Sequence, residues 1–291
     1  MCAIFIDESF SNILAPSSPR QQRCDLETAK AIMWSYRGPA SGAVVVVDHL
    51  QLFEPLPNVA RQEQACHQLV DICSRLISLD NDMVSHSKDD TWDFIKLCTV
   101  IGKHTMDQAT ADLRRTHRRL CNDYVECAKQ WLADLSSELP TTQAAAKAWA
   151  ELHIPTMLIG ALLWQTLSPR YRVTHPRASP AHPVQQLYGS IEIMEASVDL
   201  TDAEIILADR LTSAALKALR PLMDAGVVRQ VTLEELKPGL AVVLMYRVAA
   251  RNPNAHATLL DLAIHMALFF IVDDGLEKQK EHVIAASEQA W

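Results

Sequence analysis

The spacing of the apolar residues constrains the fold of this chain more strongly than any other feature of its sequence. Apolar side chains recur at the i, i+3, i+4 and i+7 positions that line one face of an α-helix. This pattern covers residues 24–37, 59–80, 81–103, 106–137, 141–167, 184–197, 201–224, 232–250 and 255–288. We therefore predict an all-α fold, built as a helical bundle.

Local signals refine this prediction. Thr201 and Glu204 have the spacing of a capping box, which predicts that a helix starts at Thr201. The β-branched run Gly42–Val47 has strand propensity, but no second strand is available to pair with it, so a buried helical turn is favoured. The Gly38–Pro39 pair predicts a helix break directly after Arg37.

Composition excludes several classes of function. Only 8 of the 291 residues are glycine, so a glycine-rich phosphate loop of the Rossmann or P-loop kind is not expected. The net charge of −8 argues against a nucleic-acid partner, which requires a basic face. The seven cysteines contain no C-x-x-C pair and are expected to be reduced thiols. The eleven histidines have no paired ligand spacing, so their pattern does not indicate zinc.

The chain is expected to be cytoplasmic and to have no membrane span. Its first residues lack the basic and apolar regions of a signal peptide, and its longest apolar stretches, Ile154–Leu167 and Met266–Val272, are too short to cross a bilayer. Val173–Val184 contains three prolines and is the strongest linker signal. On composition alone, a division into two domains would fall there.

Three groups of residues are candidates for chemistry, and the first is acidic. The apolar run Phe269–Val272 leads directly into Asp273, Asp274 and Glu277. Asp273 and Glu277 are one helical turn apart, so their carboxylates share a face. Hard oxygen ligands at this spacing suit Mg²⁺, which commonly takes one or two carboxylates together with phosphate oxygens. A helix that passes from the core into solvent would show the same pattern, and the residues alone leave both interpretations open.

The second group is Asn81, Ser85 and Asp89, which lie at i, i+4 and i+8. In one continuous helix these oxygen-bearing side chains form a single row, which could hold a second Mg²⁺. Lys88 lies beside them and could bind a phosphate as a point charge. An ordinary polar helix face is the alternative.

The third group is Arg170 and Tyr171, which follow a very apolar helix and precede the proline-rich segment. Arginine matches the oxygens of a diphosphate, and tyrosine adds a hydroxyl donor. A bare dipeptide is weak evidence, so this pair gains meaning only together with the other two groups.

Together, the three groups resemble the signature motifs of class I terpene synthases. Asp273–Glu277 is similar to the aspartate-rich motif of that family, Asn81–Asp89 to its second metal motif, and Arg170–Tyr171 to its Arg-Tyr pair, with Trp164 six residues before the arginine. Asp89 stands where the family usually has glutamate. The resemblance implies two or three Mg²⁺ ions and a diphosphate held by Arg37, Lys88, Arg170 and Tyr171. It also implies catalytic backbone groups at Ser41 and Gly42, and a cavity lined by Trp164, Phe269 and Phe270.

The order of the motifs departs from the family, in which the aspartate-rich motif comes first. Circular permutation accounts for this order, and Val173–Val184 would then join the former termini of one catalytic domain spanning residues 1–291. Only 14 residues follow Glu277 and 36 precede Arg37, which is short by at least one helix of the family. One wall of the cavity is therefore expected to be rebuilt or supplied by a second subunit in a homodimer.

The predicted function is Mg²⁺-dependent ionisation of a linear isoprenyl diphosphate and cyclisation of its chain, a carbon–oxygen lyase reaction. Farnesyl diphosphate, which would give a sesquiterpene, is the substrate expected by analogy with the family. An isoprenyl diphosphate synthase would use the same metals, but the sequence lacks a second aspartate-rich motif. A non-catalytic helical interaction protein is the remaining alternative, and it requires the three motifs to be coincidental.

Overall fold

The described part of the chain is helical throughout and contains no strand. A computed structural model describes residues 25–40, 43–86, 93–169, 200–225 and 234–270. In its first half the helices are α1 (Leu26–Ala40), α2 (Ala43–Asp48), α3 (Asn58–Gln62), α4 (Gln64–Ser85), α5 (Phe94–Val100), α6 (Met106–Asp134) and α7 (Pro140–Ala148). In its second half they are α8 (Ile154–Leu167), α9 (Asp202–Ala218), α10 (Arg220–Asp224), α11 (Pro238–Met245), α12 (Arg247–Ala250) and α13 (residues 256–270). The prediction of an all-α fold is confirmed for these residues.

Two helices without a polar face occupy the centre of the bundle. Nearly every residue of α8 and of α11 is buried, as expected for helices that are apolar on all sides. α11 packs between α8 and α9, and α8 also packs against α4. The core therefore combines helices from both sides of the proline-rich segment, which itself lies outside the described residues.

Glycine allows the backbone of α11 to touch both of its neighbours. A Cβ atom on Gly160 of α8 would lie 2.2 Å from the carbonyl oxygen of Leu244. A Cβ atom on Gly239 would lie 2.1 Å from the carbonyl oxygen of Ala208 on α9. Because both neighbouring atoms belong to the backbone, no side-chain rotation could make room for them.

α4 and α6 form an antiparallel pair that supports the other side of α8. Trp131, near the end of α6, donates a hydrogen bond of 3.0 Å to the carbonyl of Ala60, just before α4. At the other end of the pair, His117 contacts Asp80 of α4 at 3.1 Å. These contacts fix the relative position of the two helices along their shared length.

α8 and α13 run side by side in the same direction. Thr156 and Thr258, near their N-terminal ends, line one cavity. Trp164, near the C-terminal end of α8, and Phe270, the last described residue of α13, are in ring contact at 5.2 Å between centroids. This contact lies away from the cavity along both helices.

Several local predictions are confirmed. Residues 43–48 are helical, as predicted for the β-branched run, but the turn is not buried as a whole, because Val47 is buried and Val45 is exposed. Thr201 and Glu204 form the capping box, with Glu204 N–H donating to Thr201 Oγ1 at 3.3 Å and Thr201 N–H donating to the Glu204 carboxylate at 2.9 Å. Five cysteines are free thiols, namely Cys66, Cys73, Cys98, Cys121 and Cys127.

Several predicted boundaries are wrong. α1 continues through Gly38–Pro39 to Ala40, because a proline in the last turn removes only one backbone hydrogen bond. The single helix predicted over residues 232–250 is broken at Lys237, whose φ is 48°, and again at Tyr246. The first break precedes Pro238, which disfavours helical geometry in the residue before it.

The helix predicted over 141–167 contains a π-helical segment, Trp149–His153. This segment lies just before Pro155. Because proline has no N–H, one backbone carbonyl there lacks its usual helical hydrogen bond.

Candidate functional site

Asn81 and Ser85 lie on one face of α4, in its last turns. Ser85 Oγ donates a hydrogen bond to Asn81 Oδ1, with 3.3 Å between the two oxygens. Ser85 is buried and Asn81 is half-buried. The two oxygen atoms are thus held next to each other by the helix itself, and their role as metal ligands stays a prediction.

The single helix predicted to carry the row from Asn81 through Asp89 ends before Asp89. α4 ends at Ser85, and a separate helix, α5, begins at Phe94 after the extended residue Asp93. The prediction of one helix over residues 81–103 is therefore wrong, because Asp93 is an N-cap that starts a new helix. Lys88 and Asp89 lie outside the described residues.

Two buried carboxylates near Asn81 are not indicated by the motif spacing. Asp80 Oδ1 contacts His117 Nε2 at 3.1 Å, and Asp82 Oδ2 accepts a hydrogen bond of 2.9 Å from the backbone N–H of Phe94. Both aspartates are fully buried. Asp80 lies on the same face of α4 as the apolar residues Cys73 and Leu76. An acidic residue within an apolar face can be recognised in the sequence, and it indicates a buried polar contact. These contacts fasten the end of α4 to α6 and α5.

Asp93 caps the start of α5 and also contacts His86, which follows α4. Its replacement by alanine is expected to destabilise the protein by about 2 kcal/mol. Asp93 Oδ1 accepts a hydrogen bond of 2.6 Å from the backbone N–H of Lys96, and Oδ2 lies 2.7 Å from His86 Nδ1. Asp93 is 3% exposed, so water cannot replace these bonds. Urea unfolding of Asp93→Ala measures the loss. Asp93→Asn retains a capping oxygen and should lose less, and equal stability of the wild type and Asp93→Ala would contradict the assignment.

The predicted aromatic residues meet between the end of α8 and the last described residues of α13. Trp164 is buried, donates a hydrogen bond of 2.9 Å to the carbonyl of Leu236, and contacts the ring of Phe270 in a tilted arrangement. Phe269 contacts Phe270 at 5.5 Å between ring centroids and is itself exposed. The three residues therefore cluster, with Trp164 in the core and Phe269 at the surface.

A cavity of about 410 Å³ lies at the opposite end of α8 and α13. Its lining includes Phe53, Glu54, His153, Thr156, Tyr246 and Arg247. Burial lowers the pKa of His153, against the opposing charge of Glu54. Of the predicted site residues whose side chains the structure describes, none lines this cavity, and whether the three aromatic residues border a substrate cavity stays a prediction.

The remaining predicted site residues lie outside the described part of the chain. They are Ser41, Gly42, Arg170, Tyr171, Asp273, Asp274 and Glu277. Arg37 lies in α1, but its side chain is also outside the described part. Trp164 near the end of α8 contacts Phe270, the last described residue before the aspartate-rich motif.

Comparison with known proteins identifies no relative: the chain matches no family model, no curated protein and no solved structure. Within the described ranges, no helix combines the length and the apolar character needed to cross a lipid bilayer.

Proposed function

We propose that this chain is a class I terpene synthase whose motifs follow a circularly permuted order. The contact between Trp164 and Phe270, at 5.2 Å, is the observation that carries this proposal. Arg170 follows Leu167 by three residues, and Asp273 follows Phe270 by three residues. Three residues of chain reach at most about 11 Å. Two motifs that lie about a hundred residues apart in sequence each follow, within a few residues, a described segment that takes part in this packing, which supports a shared site.

The donor atoms at the end of α4 fit a magnesium ion. Neighbouring ligands of an octahedral Mg²⁺ are about 2.9 Å apart, given bonds of about 2.0–2.1 Å. Asn81 Oδ1 and Ser85 Oγ are 3.3 Å apart and are both uncharged oxygens of the kind this ion accepts. A small adjustment would let both bind one ion, with Asp89 as the third ligand of this group.

In the proposed mechanism, residues from the two parts of the chain hold the substrate diphosphate from opposite sides. Asn81, Ser85 and Asp89 hold Mg²⁺ on one side, and Asp273, Asp274 and Glu277 hold it on the other. Bound Mg²⁺ stabilises the charge that develops on the departing diphosphate. Arg37, Lys88, Arg170 and Tyr171 bind and orient the diphosphate oxygens, which favours cleavage of the allylic C–O bond.

The apolar part of the site would determine the fate of the substrate cation after ionisation. Aromatic side chains such as Phe269 and Phe270 shield this cation through their π faces. Exclusion of water prevents capture of the cation, so a distal double bond of the folded chain reacts instead. Loss of a proton, for which the bound diphosphate is a suitable base, ends the reaction.

Incubation of the protein with geranyl, farnesyl and geranylgeranyl diphosphate, with and without Mg²⁺, tests the proposal through analysis of volatile products. We expect a Mg²⁺-dependent terpene from farnesyl diphosphate. Asp273→Ala and Asn81→Ala should each lower kcat by about 100-fold or more, because each removes an interaction with the developing charge. Asp261→Ala, an exposed position on α13, and Asn58→Ala, an exposed position on α3, are the matched controls and should leave turnover unchanged.

Three outcomes would overturn the proposal. The first is the absence of a Mg²⁺-dependent hydrocarbon or alcohol product from all three substrates. The second is full activity in Asp273→Ala or Asn81→Ala when circular dichroism shows intact helicity. The third is elongated diphosphates in incubations that also contain isopentenyl diphosphate, which would indicate an isoprenyl diphosphate synthase instead.

A further inference from the structure

Three chemically different metal-binding side chains meet beside the junction of α5 and α6. The ligand atoms of Cys98, His104 and Asp112 all lie within 4.8 Å of one another. Cys98 lies near the end of α5, His104 in the connecting loop, and Asp112 in the second turn of α6. Among the described residues, this is the one group of three such side chains that is close enough to share an ion.

The connecting loop holds His104 against the end of α5. His104 N–H donates a hydrogen bond of 3.1 Å to the Cys98 carbonyl, and Gly102 N–H donates one of 3.3 Å to the Leu97 carbonyl. Lys103 has a φ of 56°, a left-handed conformation that costs energy in a residue other than glycine. The loop is also anchored on its far side by the capping box of Thr105 and Gln108. The position of His104 is therefore set by the backbone.

We propose that Cys98, His104 and Asp112 form a binding site for a divalent transition-metal ion, with Zn²⁺ as the expected occupant. Sulfur, nitrogen and carboxylate oxygen are the three donor types that zinc binds in proteins. Three protein ligands leave a fourth tetrahedral position for water or an exogenous ligand. This proposal is independent of the proposed diphosphate chemistry, which requires oxygen ligands and Mg²⁺.

The site is accessible from one side, and its His104–Asp112 pair needs only a small rearrangement. The Cys98 thiol is fully buried, whereas the side chains of His104 and Asp112 are 31% and 14% exposed, so an ion could enter past them. His104 Nδ1 and Asp112 Oδ2 are 2.7 Å apart. Two such ligands on a tetrahedral zinc ion are about 3.3 Å apart, from bonds of about 2.0 Å. Binding thus requires these two atoms to separate by roughly half an ångström.

Asp112 already has one cationic partner, because Arg115 forms an ion pair with its carboxylate. An ion at the site would share Asp112 with Arg115. Burial raises the pKa of the Cys98 thiol, the charges of Glu27 and Asp93 add to this effect, and the charge of Lys30 opposes it. Metal binding would replace the proton of this thiol.

Titration of the metal-free full-length protein with Co²⁺, in the presence of excess Mg²⁺, tests this site. We expect one equivalent of Co²⁺ to produce a thiolate-to-metal charge-transfer band, and Zn²⁺ to displace it. Cys98→Ser should abolish the band. His104→Gln, at a partly exposed position, should weaken Zn²⁺ binding by about tenfold or more. Competition with a chromophoric chelator measures this affinity. Cys127→Ser is the matched control and should change neither result.

Thermal unfolding provides a second measurement. Zn²⁺ should raise the Tm of the wild type and of Cys127→Ser, because an ion that binds only the folded state stabilises it. It should not raise the Tm of His104→Gln. The absence of a charge-transfer band in the wild type would overturn the proposal, and so would a band and a Zn²⁺ affinity that persist in Cys98→Ser.

Discussion

Alanine at Gly160 or at Gly239 is expected to destabilise the protein by about 3 kcal/mol or more. The added Cβ would lie 2.2 Å from the Leu244 carbonyl oxygen in the first case and 2.1 Å from the Ala208 carbonyl oxygen in the second. Both distances are far below van der Waals contact, and both obstacles are backbone atoms. Two buried helices would have to move apart, which opens gaps along the whole interface.

The direction of this effect distinguishes packing from helix propensity. In an exposed helix the same Gly→Ala replacement stabilises by about 1 kcal/mol. Urea unfolding of the two variants should therefore show a large loss at both positions, and the unfolding midpoint should fall. A Gly160→Ala variant as stable as the wild type would mean that α8 and α11 are not in backbone contact.

Replacement of Glu204 by glutamine is the second change with a large expected effect, a loss of about 3–5 kcal/mol. Glu204 accepts two hydrogen bonds of 2.8 Å from Arg247, and both residues are almost completely buried. Arg251 adds a third contact at 3.2 Å. Removal of the charge leaves a buried guanidinium without the carboxylate that it binds, and it weakens the capping box at the start of α9.

The same pair predicts how stability depends on pH. Burial alone would raise the pKa of Glu204, but hydrogen bonds from Arg247 and from Thr201, together with the charge of Arg247, lower it to about 2. Because the folded-state pKa is below the unfolded value, this group stabilises the protein above about pH 4.5, and its contribution is lost as the pH falls from there toward 2. The difference in unfolding free energy between the wild type and Glu204→Gln should shrink over this range.

Control variants separate the ion pair from general effects of charge. Asp202→Asn removes an exposed acid from the same helical turn and should cost less than about 1 kcal/mol. Replacing both Glu204 and Arg247 by leucine should recover part of the loss, because neither charge is then buried alone. A Glu204→Gln variant that loses no more stability than Asp202→Asn would contradict the role assigned to the pair.

The helical class of the fold could be predicted because most helices have an apolar stripe with helical spacing. α6 and α9 lie where this spacing indicates them. The break at Lys237 was missed because apolar spacing continues through Pro238, and only the backbone restriction before proline reveals it. Similarly, nothing in the periodicity of residues 81–103 distinguishes one helix from two, since the boundary depends on the capping carboxylates of Asp82 and Asp93.

The candidate site was predictable only where its chemistry is local in sequence. The shared face of Asn81 and Ser85 follows from their spacing of four residues within a helix. The neighbours of that face could not be predicted, because Asp80 meets His117 and Trp164 meets Phe270 only through tertiary packing. The group of Cys98, His104 and Asp112 matches no zinc motif, and its members meet because a strained loop turns back on α5.

The glycine contacts of α11 also limit how this bundle can move. A helix that touches its neighbours backbone to backbone cannot slide or rotate between them without lifting away from one of them, because no flexible side chains separate the surfaces. Shear motion, in which packed helices shift a little along each other, is thereby blocked in the layer formed by α8, α11 and α9. This layer should behave as a rigid frame. Hydrogen exchange should consequently be slowest for the amides of α8 and α11.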